Sequence, residues 1–100
     1  MTIATEILNQ LGGSRFVAMT GAKHLAVTGT GNGLAFQLPR RFAKSGINAV
    51  RIELLPSDTY QVKFIKFTSS SIKTVAEYDG IYCDQLVDLF ERETGLFTHL

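Results

Sequence analysis

The chain is short of most of the residues that signal chemistry. It contains one cysteine, Cys83, so no internal disulfide can form and a reducing compartment is the natural setting. Its two histidines, His24 and His99, are far apart, whereas a metal centre draws three or four ligands from Cys, His, Asp and Glu at suitable spacing. No metal and no cofactor are expected. No apolar stretch approaches the ~18–20 residues of a membrane span. The opening "MTIATEILNQ" has an acidic residue and lacks the basic start of a signal peptide. These absences predict a cytoplasmic protein without membrane attachment. No repeat, linker or low-complexity run divides the chain, and a length of 100 residues favours one domain over residues 1–100.

Hydrophobic residues make up 45% of the chain and charged residues 19%, enough apolar side chain to build a core. The net charge of +1 hides an asymmetry. Residues 1–73 hold nine basic side chains against three acidic ones, a balance of +6; residues 74–100 hold one basic against six acidic, a balance of −5. A basic body with an acidic end can bind polyanions or can neutralise itself on folding.

Along the chain, "TIATEILNQLGG" reads as a short helix with Ile3, Ile7, Leu8 and Leu11 on one face. Thr2 is its expected cap and Gly12–Gly13 its stop. "RFVAMT" and "KHLAVT", flanking "GA", read as a hairpin. In the second run Leu25 and Val27 oppose His24, Ala26 and Thr28. "LAFQL" turns Leu34, Phe36 and Leu38 inward, and "NAVRIELL" does the same with Val50, Ile52 and Leu54. "TYQVKFIKFT" places Tyr60, Val62 and Phe64 on one face, with "PSD" as the preceding turn. Its other face carries Lys63, Ile65 and Phe67, as in a central strand or one covered on both sides. "SSSIKTVAEYDG" is a candidate sixth strand with Ile72, Thr74, Ala76 and Tyr78 on one side. From about Ile81 the period becomes helical: Tyr82, Leu86, Leu89 and Phe90 form a stripe, Gly95 ends the helix and Leu96 folds back on it. The expected fold is α+β: a short N-terminal helix, an antiparallel sheet of five or six strands, and an amphipathic C-terminal helix packed on one face.

The glycine run "TGTGNG" at residues 28–33 has to be weighed against phosphate-binding loops. A dinucleotide fingerprint needs a glycine at its sixth place and a helix beginning there. Counted from Gly29, that place holds Leu34 and a strand follows; no Gly-Lys-Ser/Thr ending is present either. The run is a hairpin turn.

The most suggestive segment is "LPRRFAKSG", residues 38–46. Arg40, Arg41 and Lys44 surround Phe42, and arginine forks hold phosphates while an aromatic ring stacks on a base. Arg51, Lys63 and Lys66 extend the patch from neighbouring strands, with Tyr60 and Phe67 as stacking platforms. The same segment also reads as a solvated connection with Phe42 tucked into the core. Asp84, Asp88 and Glu91, at i, i+4 and i+7, share one face of the last helix. They form a solvated stripe or an acidic contact surface for a basic partner. Cys83 sits near the helix start, where a thiol pKa can fall, but its place beside the apolar stripe reads as a small core residue.

Together "ILNQLGGSRFVAMTGAKH", "LPRR", "DTYQVKF" and "GIYCDQLVDLFERETGLFTHL" resemble a family of small proteins of bacteriophages, prophages and other mobile elements. The likeness spans nearly the whole chain and varies near residues 28–33 and 68–74. The family has no assigned activity, so the resemblance carries over no catalytic residue. It implies a complete small protein working in a bacterial cytoplasm. At the level of fold alone, the strand-rich body with its C-terminal helix is similar to small single-strand-binding domains of the coactivator type. The expected function is a non-enzymatic module that contacts nucleic acid, single-stranded DNA or RNA, through Arg40, Arg41, Lys44, Arg51, Lys63 and Lys66, with Phe42 or Tyr60 stacking. The alternative is a protein-interaction module, a phage accessory or inhibitor of a host protein, that uses Asp84, Asp88 and Glu91. Either accommodates a homodimer in which the basic loop of one subunit meets the acidic helix of another.

Overall fold

The structure, a computed structural model, describes residues 3–29, 31–39 and 46–96. The first apolar stripe forms α1 (Ile3–Leu11), which buries Ala4, Ile7 and Leu11. Thr2, its expected cap, lies outside the described residues. The amides of Gly12 and Gly13 both reach back to the Leu8 carbonyl, at 3.2 and 2.9 Å, and stop the helix.

The next segment departs from expectation. "RFVAMT" is not a strand but belongs to α2 (Ser14–Thr20). A six-residue window accommodates both periods, and here the buried pair is Phe16 and Thr20, one helical turn apart. Gly21 is accordingly the left-handed cap of this helix, not the corner of a hairpin. The Thr20 hydroxyl donates to the Phe16 carbonyl at 2.8 Å and accepts the Ala22 amide at 3.2 Å. The last helix ends in the same way: the Thr94 hydroxyl donates to the Phe90 carbonyl at 2.7 Å and accepts from Leu96, beside Gly95.

Five strands follow: β1 (Lys23–Val27), β2 (Gly33–Gln37), β3 (Ala49–Leu54), β4 (Tyr60–Phe67) and β5 (Ile72–Ile81). They form one antiparallel meander in the order β1-β2-β3-β4-β5. Alternation sorts the side chains into cross-strand rows. Phe36, Val50, Phe64 and Ala76 form one row under the helices; Leu34, Ile52, Val62 and Tyr78 form the next. The rows between them, Ala35–Arg51–Lys63–Glu77 and Gln37–Ala49–Ile65–Thr74, lie on the opposite face, and none of these residues is buried. β4 is thus an inner strand that the described helices cover on one side. A register shift after Phe64 splits β5: Ala76 and Tyr78 face the core, whereas Thr74 and Ile72 pair with Ile65 and Phe67 on the open face. These four do not share one side as alternation alone predicts.

Beyond β5, residues Cys83–Gln85 make a 3₁₀ turn and α3 (Leu86–Thr94) buries Leu86, Leu89, Phe90 and Thr94. The expected stripe counted Tyr82 inward and placed Cys83 in the core. Tyr82 is 60% exposed and Cys83 is exposed. The tighter turn shifts the phase of the helical count, and the Tyr82 amide is held by the Gln85 side chain at 2.9 Å as a cap. The helices meet the sheet at an aromatic trio. Phe16 of α2 packs edge-on to Phe36 of β2 and to Phe90 of α3, with ring centroids 5.3 and 5.1 Å apart.

The run "TGTGNG" is the β1–β2 turn, with the Thr28 amide donating to the Gly33 carbonyl at 3.1 Å and the Gly31 amide to the Thr28 carbonyl at 2.9 Å. At Gly33 a Cβ would collide with the Ile52 carbonyl and come within 2.7 Å of Glu53 Cγ; at Gly29 it would meet nothing within 4 Å. Gly33→Ala is expected to cost about 1–3 kcal/mol by prising β2 from β3, while Gly29→Ala stays near neutral. Thermal melting monitored by circular dichroism compares the two, and equal Tm values would contradict the close approach at Gly33.

Candidate nucleic-acid interface

In a meander, alternate connections lie at the same end of the sheet. The connections before β1, between β2 and β3, and between β4 and β5 therefore share one end. Lys23 opens β1 there, opposite Gln37; Lys66 and Lys73 stand directly opposite each other across β4 and β5. Lys66 runs its stem along Gly46, Cε lying 3.1 Å from where a Cβ would sit. The three lysines have no carboxylate partner among the described residues. Residues 21–24, 37–49 and 65–73 contain no aspartate or glutamate at all. Arg40, Arg41, Phe42 and Lys44 lie outside the described residues; Pro39 and Gly46, which bracket them, are both at this end. The opposite end carries Glu53, Asp58, Asp79 and Asp84 with no basic residue in its connections.

The middle of the open face is neutralised. Arg51 pairs with Glu53 on the same strand at 3.1 Å, and Lys63 pairs with Glu77 across the ladder at 3.6 Å. Arg51, Glu53, Gln61 and Lys63 line a depression of about 260 Å³. Such surface pairs contribute only ~0–1 kcal/mol, so a phosphate can displace their carboxylates, but the local field is weaker than at the lysine-rich end. Lys66 belongs to that end and not to this cluster.

Tyr60 is misplaced as a stacking residue. It is 4% exposed, on the helix side of β4, where its hydroxyl meets the Gln10 side chain. Phe67, on the open face, is half-buried, and its backbone is fixed by the Asn48 side chain: Nδ2 donates to its carbonyl at 2.8 Å and Oδ1 accepts its amide at 2.9 Å. Lys23, Gln37, Leu38, Asn48 and Phe67 surround a hollow of about 180 Å³. Sequence reasoning left Lys23, Gln37 and Lys73 out of the site; only strand order brings them to one end of the sheet, Lys23 and Gln37 on the open face and Lys73, like Lys66, on the helix side by alternation.

The acidic stripe is incomplete as a surface. Asp84 and Asp88 are exposed, on the 3₁₀ turn and in the first turn of α3, but Glu91 is half-buried and already engaged within the fold. No group of three or more metal-ligating side chains occurs among the described residues, and no helix among them is long and apolar enough to cross a membrane. Comparison with models of known protein families, with curated proteins and with solved structures finds no match to this chain.

Two tyrosines tie these elements to the core. Burial raises the pKa of Tyr60 above 10.0, against a smaller opposing effect of the Gln10 hydrogen bond. Tyr78 is raised chiefly by its hydroxyl's 2.8 Å bond to Glu93 on α3. A raised folded pKa favours the neutral phenol, so this stability is complete below pH 10 and is lost as pH climbs through the raised values. Urea unfolding between pH 8 and pH 11 is expected to show that fall, and Tyr78→Phe to make it shallower. An unchanged pH profile in the variant would contradict the Tyr78–Glu93 bond.

Proposed function

We propose that this protein is a non-enzymatic module that binds single-stranded nucleic acid, running the strand over the open sheet face with its phosphates at the lysine-rich end. The carrying observation is that Lys23, Lys66 and Lys73, without a carboxylate partner among the described residues, lie at one end of the sheet, Lys23 on its open face and Lys66 and Lys73, by alternation, on the helix side. Lys66 and Lys73 repel each other across the ladder, and a bound polyanion relieves that repulsion. Arg40, Arg41 and Lys44 join the site on charge and chain position; Arg51 and Lys63 are secondary contacts that must first release Glu53 and Glu77. Phe67, not the buried Tyr60, takes the stacking role. The resemblance to mobile-element proteins supports a bacterial cytoplasm as the setting of this activity.

Fluorescence anisotropy with labelled single- and double-stranded DNA and RNA tests the proposal. Neutralising three phosphates on a single strand predicts an affinity about 20-fold lower at ~200 than at ~50 mM salt. The triple variant Lys23→Ala, Lys66→Ala, Lys73→Ala should bind more weakly and with a flatter salt dependence. No binding by the wild-type protein at ~50 mM salt would overturn the assignment in favour of a protein partner at Asp84 and Asp88. Lys66→Ala alone is expected to move two readouts in opposite directions: binding falls, while unfolding free energy rises by about 0.2–1 kcal/mol as the like-charge pair is removed. A loss of stability in that variant would contradict the repulsion.

A further inference from the structure

We propose that the hollow at the lysine-rich end is a subsite for one unpaired nucleobase and its adjoining phosphate; this rests on the nucleic-acid reading above and names what that site accepts. Its volume of about 180 Å³ equals roughly six water molecules at ~30 Å³ each, room for a single planar base. Drug-sized ligands occupy pockets of ~300–1,000 Å³, so the hollow is too small for anything much larger.

The lining supplies three kinds of contact. Phe67 offers an aromatic ring on the open face, outside the packed core. Leu38 forms a buried apolar wall. Gln37 carries an amide with both donors and an acceptor, and that amide has no partner among the described residues, leaving it free to read a base edge. Lys23, opposite Gln37 in the ladder, brings an ammonium group for the phosphate, and no carboxylate lines the space.

Asn48 plays a different part. Both ends of its amide bond the Phe67 backbone, at 2.8 and 2.9 Å, so it holds the stacking residue in place. The last residue of β4 is therefore clamped before any base arrives, which lowers the ordering cost of binding. A base in a duplex is stacked on both faces and has its pairing edge occupied; it cannot enter. The hollow is thus the element that separates single strands from duplexes, whereas the lysines attract both.

The full-length protein is titrated with a fluorescein-labelled single-stranded oligonucleotide and with one carrying a single 2-aminopurine, which reports stacking. Phe67→Leu keeps the backbone clamp, and Gln37→Leu replaces an exposed-face amide; circular dichroism checks that both fold. Each is expected to weaken single-strand binding about tenfold with the salt slope unchanged, and Phe67→Leu to abolish the 2-aminopurine response. Lys23→Ala should instead lower the slope by about 0.7. Salt-sensitive binding that is indifferent to both Phe67→Leu and Gln37→Leu would overturn the base subsite and leave the lysine-rich end standing. No binding by the wild-type protein at ~50 mM salt would overturn both.

Discussion

Everything else in the fold leans on the contact between Phe16, Phe36 and Phe90. Neither α2, of seven residues, nor α3, of nine, is long enough to hold its shape alone in water. Each presses a phenylalanine onto β2 and onto the other helix, and α3 adds the burial of Leu86 and Leu89. All three rings are essentially buried, and edge-on pairs of this kind add ~0.5–1.5 kcal/mol beyond the area they remove from water. The trio stands at one end of the row Phe36–Val50–Phe64–Ala76. Phe64 in turn meets Tyr78 edge-on at 6.3 Å, and the Tyr78 hydroxyl returns to Glu93 on α3. A chain of aromatic and apolar contacts, closed by the Tyr78–Glu93 hydrogen bond, therefore runs from helix to sheet and back. The large buried rings of that chain are on one side, while among the described residues the other side carries Phe67, Ile65 and Ile72 outside the buried core.

Much of this was legible in the sequence wherever one period held for long enough. β2, β3 and β4 alternate over five to eight residues, and their buried positions follow the alternation. "RFVAMT" failed because Phe16, Ala18 and Thr20 alternate while Phe16 and Thr20 also lie a helical turn apart; tertiary contact to Phe36 and Phe90 decides between them. The split of β5 has no local sign at all, since a bulge is set by the partner strand. Tyr60 is a different kind of miss. The alternation that located Val62 and Phe64 inward had already placed Tyr60 beside them, and an aromatic residue cannot pack into a core and stack on a base at once.

Both edges of the sheet are arranged against strand addition. β1 is five residues long, carries a bulge and a positive φ at His24, and begins with Lys23; β5 has two register shifts and Lys73 near its start. Lys23 and Lys73 thus serve the fold by discouraging aggregation, and the same placement puts two cations at one end of the sheet.

The charge layout acquires its meaning only from the topology. Read along the chain, it is a basic body followed by an acidic tail, a pattern that self-neutralisation explains as well as ligand binding does. Folded into a meander, it becomes a division between the two ends of the sheet. Lys23, Lys66 and Lys73, distant along the chain, come to one end because every second connection returns there. Had the chain evolved only to cancel its own charge, Lys66 and Lys73 would be expected opposite carboxylates, as Lys63 is opposite Glu77. They stand opposite each other instead. The mid-sheet pairs show that this fold readily places partners across its strands, so the Lys66–Lys73 pair is a departure from charge cancellation.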